Sequence, residues 1–532
     1  MADCFSPRNR LVRTWKTLKS VKLVATATLF WLVTLVPAVD AETITTTTNP
    51  NTNESRDAVE DQDAAPVDWP VALKNASGRT TYVDKEDDFA KASEVAKPGD
   101  VIVVRSGIYR WSTINIKSHG TAAAPIIYTA EHPGGVTFTD GERAMHITGT
   151  HNIIGGFILE NISARAIELT GEKGPNTGGA SDNRITDIKL IGCGKARPYW
   201  MVEIGRRSNR NRIDHSVFDE NYGYIRLYND EQDAADYGAS QNTRIDHNLF
   251  TNTRTDNALH DRTLPVLQIG QEAHPSDRGS DVRLVFEYNT VRNHVTYYEG
   301  GLISVKSNNN VIRYNKFIDS HGAIGLRVGN NNKVYGNFIG GAGGGYGIYI
   351  LGAFNQVYNN IIDAPERVIA ISVTRWGNRT CPATPNWCAS TPPTHDVLIA
   401  HNSILSYADY GIDVGQCDSG ACNPLGNVTV ANNIIIGHSG TLFRVKSASV
   451  NNLTVTRNLY FKLGSAVLGT GYQADNEAIL ADPGIDSPLH LPSNSPAVRA
   501  GRTIPGITTD FHGRPRESSD IGAIEHDRKE ID

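Results

Sequence analysis

Residues 299–360 read EGGLISVKS (299–307), NNNVIRYNKFIDSHGAIGLRVG (308–329), NNNKVYGNFIGGAGGGYGIYILG (330–352) and AFNQVYNN (353–360). Each round joins a short β-like run, a Gly- or Asn-rich turn, and an aliphatic residue followed three places later by asparagine. The marker recurs on both sides: Ile245 with Asn248, Phe286 with Asn289, Ile312 with Asn315, Val334 with Asn337, Val357 with Asn360, Ile399 with Asn402, Val430 with Asn433 and Val455 with Asn458. Ile213 with Ser216 is a degenerate earlier copy. The central steps between asparagines are 22 and 23 residues, and the others stretch to 25, 26, 31, 41 or 42. Stretching of this kind is what loop insertions do to a solenoid, because each coil stacks only on its neighbours. A leucine-rich horseshoe would need a leucine consensus, and a wound α/β sheet would need amphipathic helices between the runs. Neither pattern is present. The expected fold is all-β: a single-stranded right-handed parallel β-helix, its asparagines stacked at one corner.

Ahead of the repeat, residues 85–96 carry Phe89, Ala92, Val95 and Ala96 at helical spacing, stopped by Pro98 and Gly99 and followed by the apolar run VIVV. One amphipathic helix before a long series of strands suits an N-terminal cap over the open end of the solenoid.

The first residues hold Arg8, Arg10, Arg13, Lys16, Lys19 and Lys22, then the apolar run LVATATLFWLVTLVPAV and a small-residue exit at 39–41. That order is a secretory signal, here assigned to residues 1–41, and the expected location is secreted or periplasmic, with no stable membrane association once the signal is removed. An uncleaved anchor is the competing reading, since the apolar run is near the lower limit for a span. Residues 42–79 are polar and poor in apolar side chains, as a flexible linker would be. Residues 80–532 then form the β-helix domain.

Net charge is −6, which argues against a nucleic-acid partner held by a basic surface. An anionic polymer can still be gripped if cations gather in one groove. Of the six cysteines, Cys381 with Cys388 and Cys417 with Cys422 are closely spaced in loop-like sequence, which in an exported chain reads as disulfides. Cys193 reads as a buried small hydrophobe. The sequons at Asn53, Asn75, Asn161, Asn378, Asn427 and Asn452 matter only in a host that glycosylates them.

Side chains alternate along a strand, so inward residues fix which neighbours face out. With Ile303 and Val305 inward, Lys306 faces out; with Leu326 and Val328 inward, so does Arg327. The same parity puts Glu203, Arg226, Gln268, Tyr349, Asp413 and Arg444 on that face, read as one polar ladder with rungs about 4.8 Å apart. A solitary exposed cation needs no explanation. Two on adjacent rungs repel, so a lysine there gives up its proton more easily than in solvent, and an anion between them relieves the repulsion. A uronate sugar is such an anion. Removing its C5 proton needs the neighbouring carboxylate neutralised and a base close by. Lysine can be the base; arginine is too basic for that role and would bind the carboxylate or the departing oxygen. The outcome is β-elimination across C4 and C5. Hydrolysis by paired carboxylates is the rival chemistry, but no close acid pair accompanies Lys306, and Glu203 and Asp413 lie coils away on opposite sides.

The run from Glu299 to Gly341 resembles the signature of the chondroitinase-B-like polysaccharide lyases, family six, which includes many alginate lyases. AKPGDVIVVRSGIYRW and GTAAAPIIYTAE are similar to that family's amino-terminal coil. The resemblance covers residues 82–360. It implies a right-handed parallel β-helix, a catalytic lysine at Lys306, a catalytic arginine at Arg327, and an anionic polysaccharide substrate, alginate first and dermatan or chondroitin sulfate second. A uronan epimerase and a non-catalytic carbohydrate-binding β-helix are the alternatives. Members that use calcium show GExExxxxKS, plus an asparagine from the preceding coil. Here the first glutamate is Glu299, the second position is Gly301, and the preceding coil reads HDRTLPVLQIG. The expected cofactor is therefore none, or calcium held weakly at Glu299, with Arg226, Gln268 or Arg262 taking the carboxylate. Val328 stands where the family often has histidine, and Tyr349 stands in place of a substrate-binding arginine. Residues 495–525 resemble the closing segment of secreted β-helix proteins and are expected to cap the last coil.

Overall fold

The computed structural model describes residues 76–526, apart from 172–177, 195–199, 228–238, 254–263, 271–279, 297–300, 376–393, 418–421, 447–448, 486 and 518. Its strands form three long sheets of 14, 14 and 12 strands in which every pairing between named strands is parallel. One coil shows the plan: Val311–Arg313 lies in the first sheet, Lys316–Ile318 in the second and Ile324–Leu326 in the third, and Lys333–Tyr335 then returns to the first, one rung on. This is the right-handed parallel β-helix expected from the repeat.

The period marker sits at the corner between the first and second sheets. The residue before each ladder asparagine is left-handed: His247, Tyr288, Tyr314, Asn359, His401, Asn432 and Arg457 have φ between 53° and 56°. Such a conformation costs a large side chain about 1 kcal/mol or more, and the asparagine that follows offsets it. Asn315 Nδ2 donates to Phe286 O at 2.9 Å, and both its backbone N and its Nδ2 donate to Asn337 Oδ1, at 3.0 Å each. The same double donation runs through Asn248, Asn289, Asn337, Asn360, Asn402, Asn433 and Asn458. It ends on a carboxylate: Asn458 donates to Asp475 Oδ2 from N at 3.0 Å and from Nδ2 at 2.9 Å. A second row, Asn310, Asn332 and Asn355, turns the corner that follows the third sheet.

The helix Glu86–Glu94 buries Phe89, Ala92 and Ser93, with the Phe89 ring 5.9 Å from Trp111 and 5.6 Å from Tyr128. It packs on Ile114–Ile116, the first strand of the third sheet, and on Thr80–Val83 and Val101–Val104 of the first, although Val95 is exposed. Ala76, ahead of residue 80, already packs beside Val101, Val103 and Ile127. At the other end the helix Thr470–Gln473 packs on the strand Thr441–Val445.

The C-terminal segment does not cap the last coil. It turns back along the flank, where Leu491, Ala497, Ile521, Ala523 and Ile524 pack on Ile361, Leu405, Ile434, Ile436 and Leu459 of successive coils. The physical reason is that the second sheet presents these aliphatic side chains outward, and burying that stripe outweighs closing an end already covered by Thr470–Gln473. Arg516 is the hub. It donates to Asn359 Oδ1 at 2.8 Å, Gly522 O at 2.8 Å, Ala523 O at 3.1 Å and Glu525 Oε2 at 3.2 Å, with a side chain only 3% exposed.

Two buried histidines add a pH dependence. His294 bonds Thr253 Oγ1 at 2.8 Å and Leu264 O at 3.2 Å, and burial pushes its pKa down to about 4. His401 bonds Asp520 O at 3.0 Å and accepts from Asn432 Nδ2 at 2.9 Å; burial, then Arg516, holds it well below its ordinary value. Both fold neutral, while the unfolded chain takes up protons below about pH 6.5. Stability is therefore full above about pH 6.5 and falls as pH drops toward 4, with His294 alone giving up on the order of 3 kcal/mol. Thermal midpoints between pH 7.5 and 4 check this, and a flat profile would refute it.

Cys417 and Cys422 are disulfide-bonded, with Cα atoms 5.8 Å apart, and Cys193 is fully buried, both as expected. Cys381 and Cys388, the signal segment and nearly all of the linker lie outside the described residues. Among the described residues, no helix is long and apolar enough to cross a membrane.

Candidate active site

The outer face of the third sheet carries the outward side chains, and strand register places them. Ile303 pairs with Ile324, Ser304 with Gly325 and Val305 with Leu326. Lys306 and Arg327 follow immediately, on adjacent strands, each tied by its backbone to the strand before: Lys306 N donates to Ile269 O at 2.8 Å and Arg327 N to Val305 O at 2.9 Å. Just past them the asparagine row locks the turn, with Asn310 Nδ2 donating to Ser307 O at 3.1 Å and to Asn332 Oδ1 at 2.9 Å. The backbone beneath Lys306 and Arg327 is thus fixed on both sides.

The single polar ladder read from the sequence is two columns. Register runs Glu203, Arg226, Gln268, Ser304, Gly325, Tyr349, Ser372, Asp413, Arg444 in one. Lys306 and Arg327 stand two residues further along their strands, in a parallel column on the same face. Alternation fixes the face correctly but says nothing about position along the strand. The apolar pairs Leu267 with Ile303 and Ile269 with Val305 carry that information, and they align Gln268 with Ser304.

Lys306 is buried, at 3% exposure, and Arg327 is half-buried. Gln268 is buried and donates Nε2 to Gly270 O at 3.0 Å. Arg226 lies 3.7 Å from Glu203 Oε1, and Arg165 pairs with Glu203 as well. Glu203 is 1% exposed, and burial raises its pKa against the pull of Arg226 and Arg165. Tyr349 is half-buried, its ring edge-on to Tyr346 at 5.7 Å. Asp413 is fully buried and held by Arg444 at 2.7 Å, with the guanidinium 3.7 Å from the Tyr410 ring. Glu203 and Asp413 are seven strands apart, about 34 Å at the usual spacing. They cannot act together on one glycosidic bond.

Arg262 and Glu299 lie outside the described residues. The calcium site that the resemblance implies can be tested here only at its second glutamate position, Gly301. At Gly301 an added Cβ would stand 2.5 Å from Ala323 O, so the backbone has no room for a second glutamate. Among the described residues, no group of three or more His, Cys, Asp or Glu is placed to hold a metal ion.

Two positions on this face escaped the sequence reading. Ser304 and Gly325 occupy the column beside Lys306 and Arg327, and between Gln268 and Tyr349 they leave the face without a large side chain. Counting two residues back from each cation finds both.

The chondroitinase B family model matches residues 83–462. Among solved structures, a mannuronic acid specific polysaccharide family 6 lyase from human gut microbiota superposes with a TM-score of 0.56 at 18% identity, over 76% of this chain and 91% of that one. The PL6 family alginate lyase AlyGC superposes with a TM-score of 0.59 at 21% identity, over 83% of this chain and 57% of that one. A PL6 family polysaccharide lyase from Pseudopedobacter saltans gives 0.54 at 18%, over 83% and 98%. No curated protein sequence matches.

Proposed function

Because this chain belongs to the chondroitinase B family and is a polysaccharide lyase, we propose that it is exported and cleaves a uronate-containing polymer, alginate before dermatan or chondroitin sulfate, with Lys306 as base and Arg327 as its partner. The observation that carries this reading is the placing of the two cations on adjacent strands of one outer face, over a backbone fixed on both sides. In the step they would perform, the Lys306 amine takes the C5 proton, the C5–H electrons become the C4=C5 double bond, and the C4–O bond breaks with its electron pair on the departing oxygen, which takes a proton from water or from the Lys306 ammonium just formed. Arg327 holds the negative charge that builds on the carboxylate or on the departing oxygen, a task that suits a guanidinium fixed in charge. Arg226, Gln268, Tyr349 and Arg262 would bind the neighbouring sugars. The alginate preference draws on structural relatives described as alginate lyases and on one described as mannuronic acid specific.

Incubation with polymannuronate, polyguluronate and dermatan sulfate, following ultraviolet absorbance of the unsaturated product, tests the reading; silence on all three overturns it. Since Gly301 leaves no room for the second glutamate of a calcium site, activity is expected to survive excess chelator within about twofold, well short of the several kcal/mol that losing a charge-stabilising metal would cost. Collapse of the rate in chelator, restored by calcium, would refute that expectation.

A further inference from the structure

Ser304 is fully buried, and its Oγ has no hydrogen-bond partner. A hydroxyl kept in that state destabilises the fold by roughly 1–3 kcal/mol relative to a satisfied one, and alanine would fit the same space. Its neighbour across the strands, Gly325, is equally unexplained by the fold. A Cβ there would meet Ile303 O at 3.5 Å and Arg327 Cγ at 3.6 Å, ordinary contacts, so neither crowding nor backbone conformation calls for glycine. The two positions adjoin each other and stand two residues before Lys306 and Arg327 on the same face. A costly hydroxyl and a dispensable absence of side chain, together beside the two cations, are features that folding alone does not select.

Resting on the lyase reading above, we propose that Ser304 and Gly325 floor the seat of the uronate ring that loses its proton, and that Ser304 Oγ–H donates to that ring's carboxylate. The seat is bounded along its column by Gln268 and Tyr349. Seating the ring exchanges the unmet donor of Ser304 for a charged acceptor. The carboxylate gains electron density as the C5 proton leaves, so this hydrogen bond strengthens toward the transition state. That hydrogen bond supports the carboxylate on a face where Gly301 leaves no room for a second glutamate.

The test is kinetic and thermal together, on the whole chain. Ser304→Ala is expected to lower kcat by on the order of 10- to 100-fold with KM little changed, while the thermal midpoint stays level or rises. Gly325→Val fills the floor and is expected to raise KM on the order of 10-fold without lowering the midpoint. Wild-type kcat in Ser304→Ala, or a lowered midpoint that accounts for the lost activity, overturns the seat. An inactive wild-type chain removes the lyase reading and the seat with it. A wild type that is active, loses activity as Lys306→Ala, and keeps it as Ser304→Ala overturns the seat alone.

Discussion

Lys306→Ala is expected to reduce kcat on every uronate polymer by on the order of 10²- to 10⁴-fold, the range that a positioned general base contributes. The loss should fall on kcat, because the proton transfer is the step removed, and the polymer remains bound through the other side chains of the face. The turn around Lys306 is held by backbone and asparagine bonds that alanine leaves intact. Arg327→Lys provides the complementary result. It keeps the charge but loses the planar fork, so a large loss of rate there would mark geometry, beyond charge, as what the partner supplies. Product absorbance with Lys306→Ala near the wild-type rate would refute the assignment of the base.

Removing residues 482–532 is expected to abolish soluble folding. The segment covers Ile361, Leu405, Ile434, Ile436 and Leu459, and at roughly 1.5–3 kcal/mol for each buried aliphatic the loss is comparable with the whole stability of an ordinary domain. It also withdraws Asp520 O from His401, Thr509 O and Arg516 from Asn359, and Arg502 O from Asn432. A gentler probe is Arg516→Met, which leaves Glu525 buried without its cation and is expected to cost about 3–5 kcal/mol. A truncated chain with an unchanged thermal midpoint would show that the flank needs no cover. This segment was expected at the last coil, and the error is instructive: its own sequence says that it is closing material, but not which surface lacks a cover.

The architecture was legible because a β-helix writes its period into the chain. The asparagine marker coincides with the corner ladder coil by coil, including Ser216 at the degenerate copy, where Ser216 N donates to Asn248 Oδ1 at 3.0 Å. The outer face was legible too, since parity needs only the inward aliphatics. What parity cannot supply is depth along the strand, so Arg226 and Gln268 were placed beside Lys306 when they belong to the column of Ser304. Burial was also out of reach. Glu203, an outward polar residue in sequence terms, is a nearly inaccessible carboxylate held by Arg165 and Arg226. Neighbours that meet it across strands come from residues 23 and 38 positions away, and no local pattern announces them.

The asparagine ladder has a direction. Every rung gives its N–H groups to the rung that follows and receives on its oxygen from the rung before, so the amide dipoles add along the axis with their positive ends toward the C-terminus. Such a row can be lengthened anywhere in its middle, since each new coil brings one donor set and one acceptor and leaves the sum unchanged. It cannot simply be cut at its far end, where the last donors need an anion, and Asp475 is that anion. A lineage of such chains is free to gain or lose internal turns and so to alter the length of polymer it can hold. Whatever its length, it has to carry its terminal carboxylate with it.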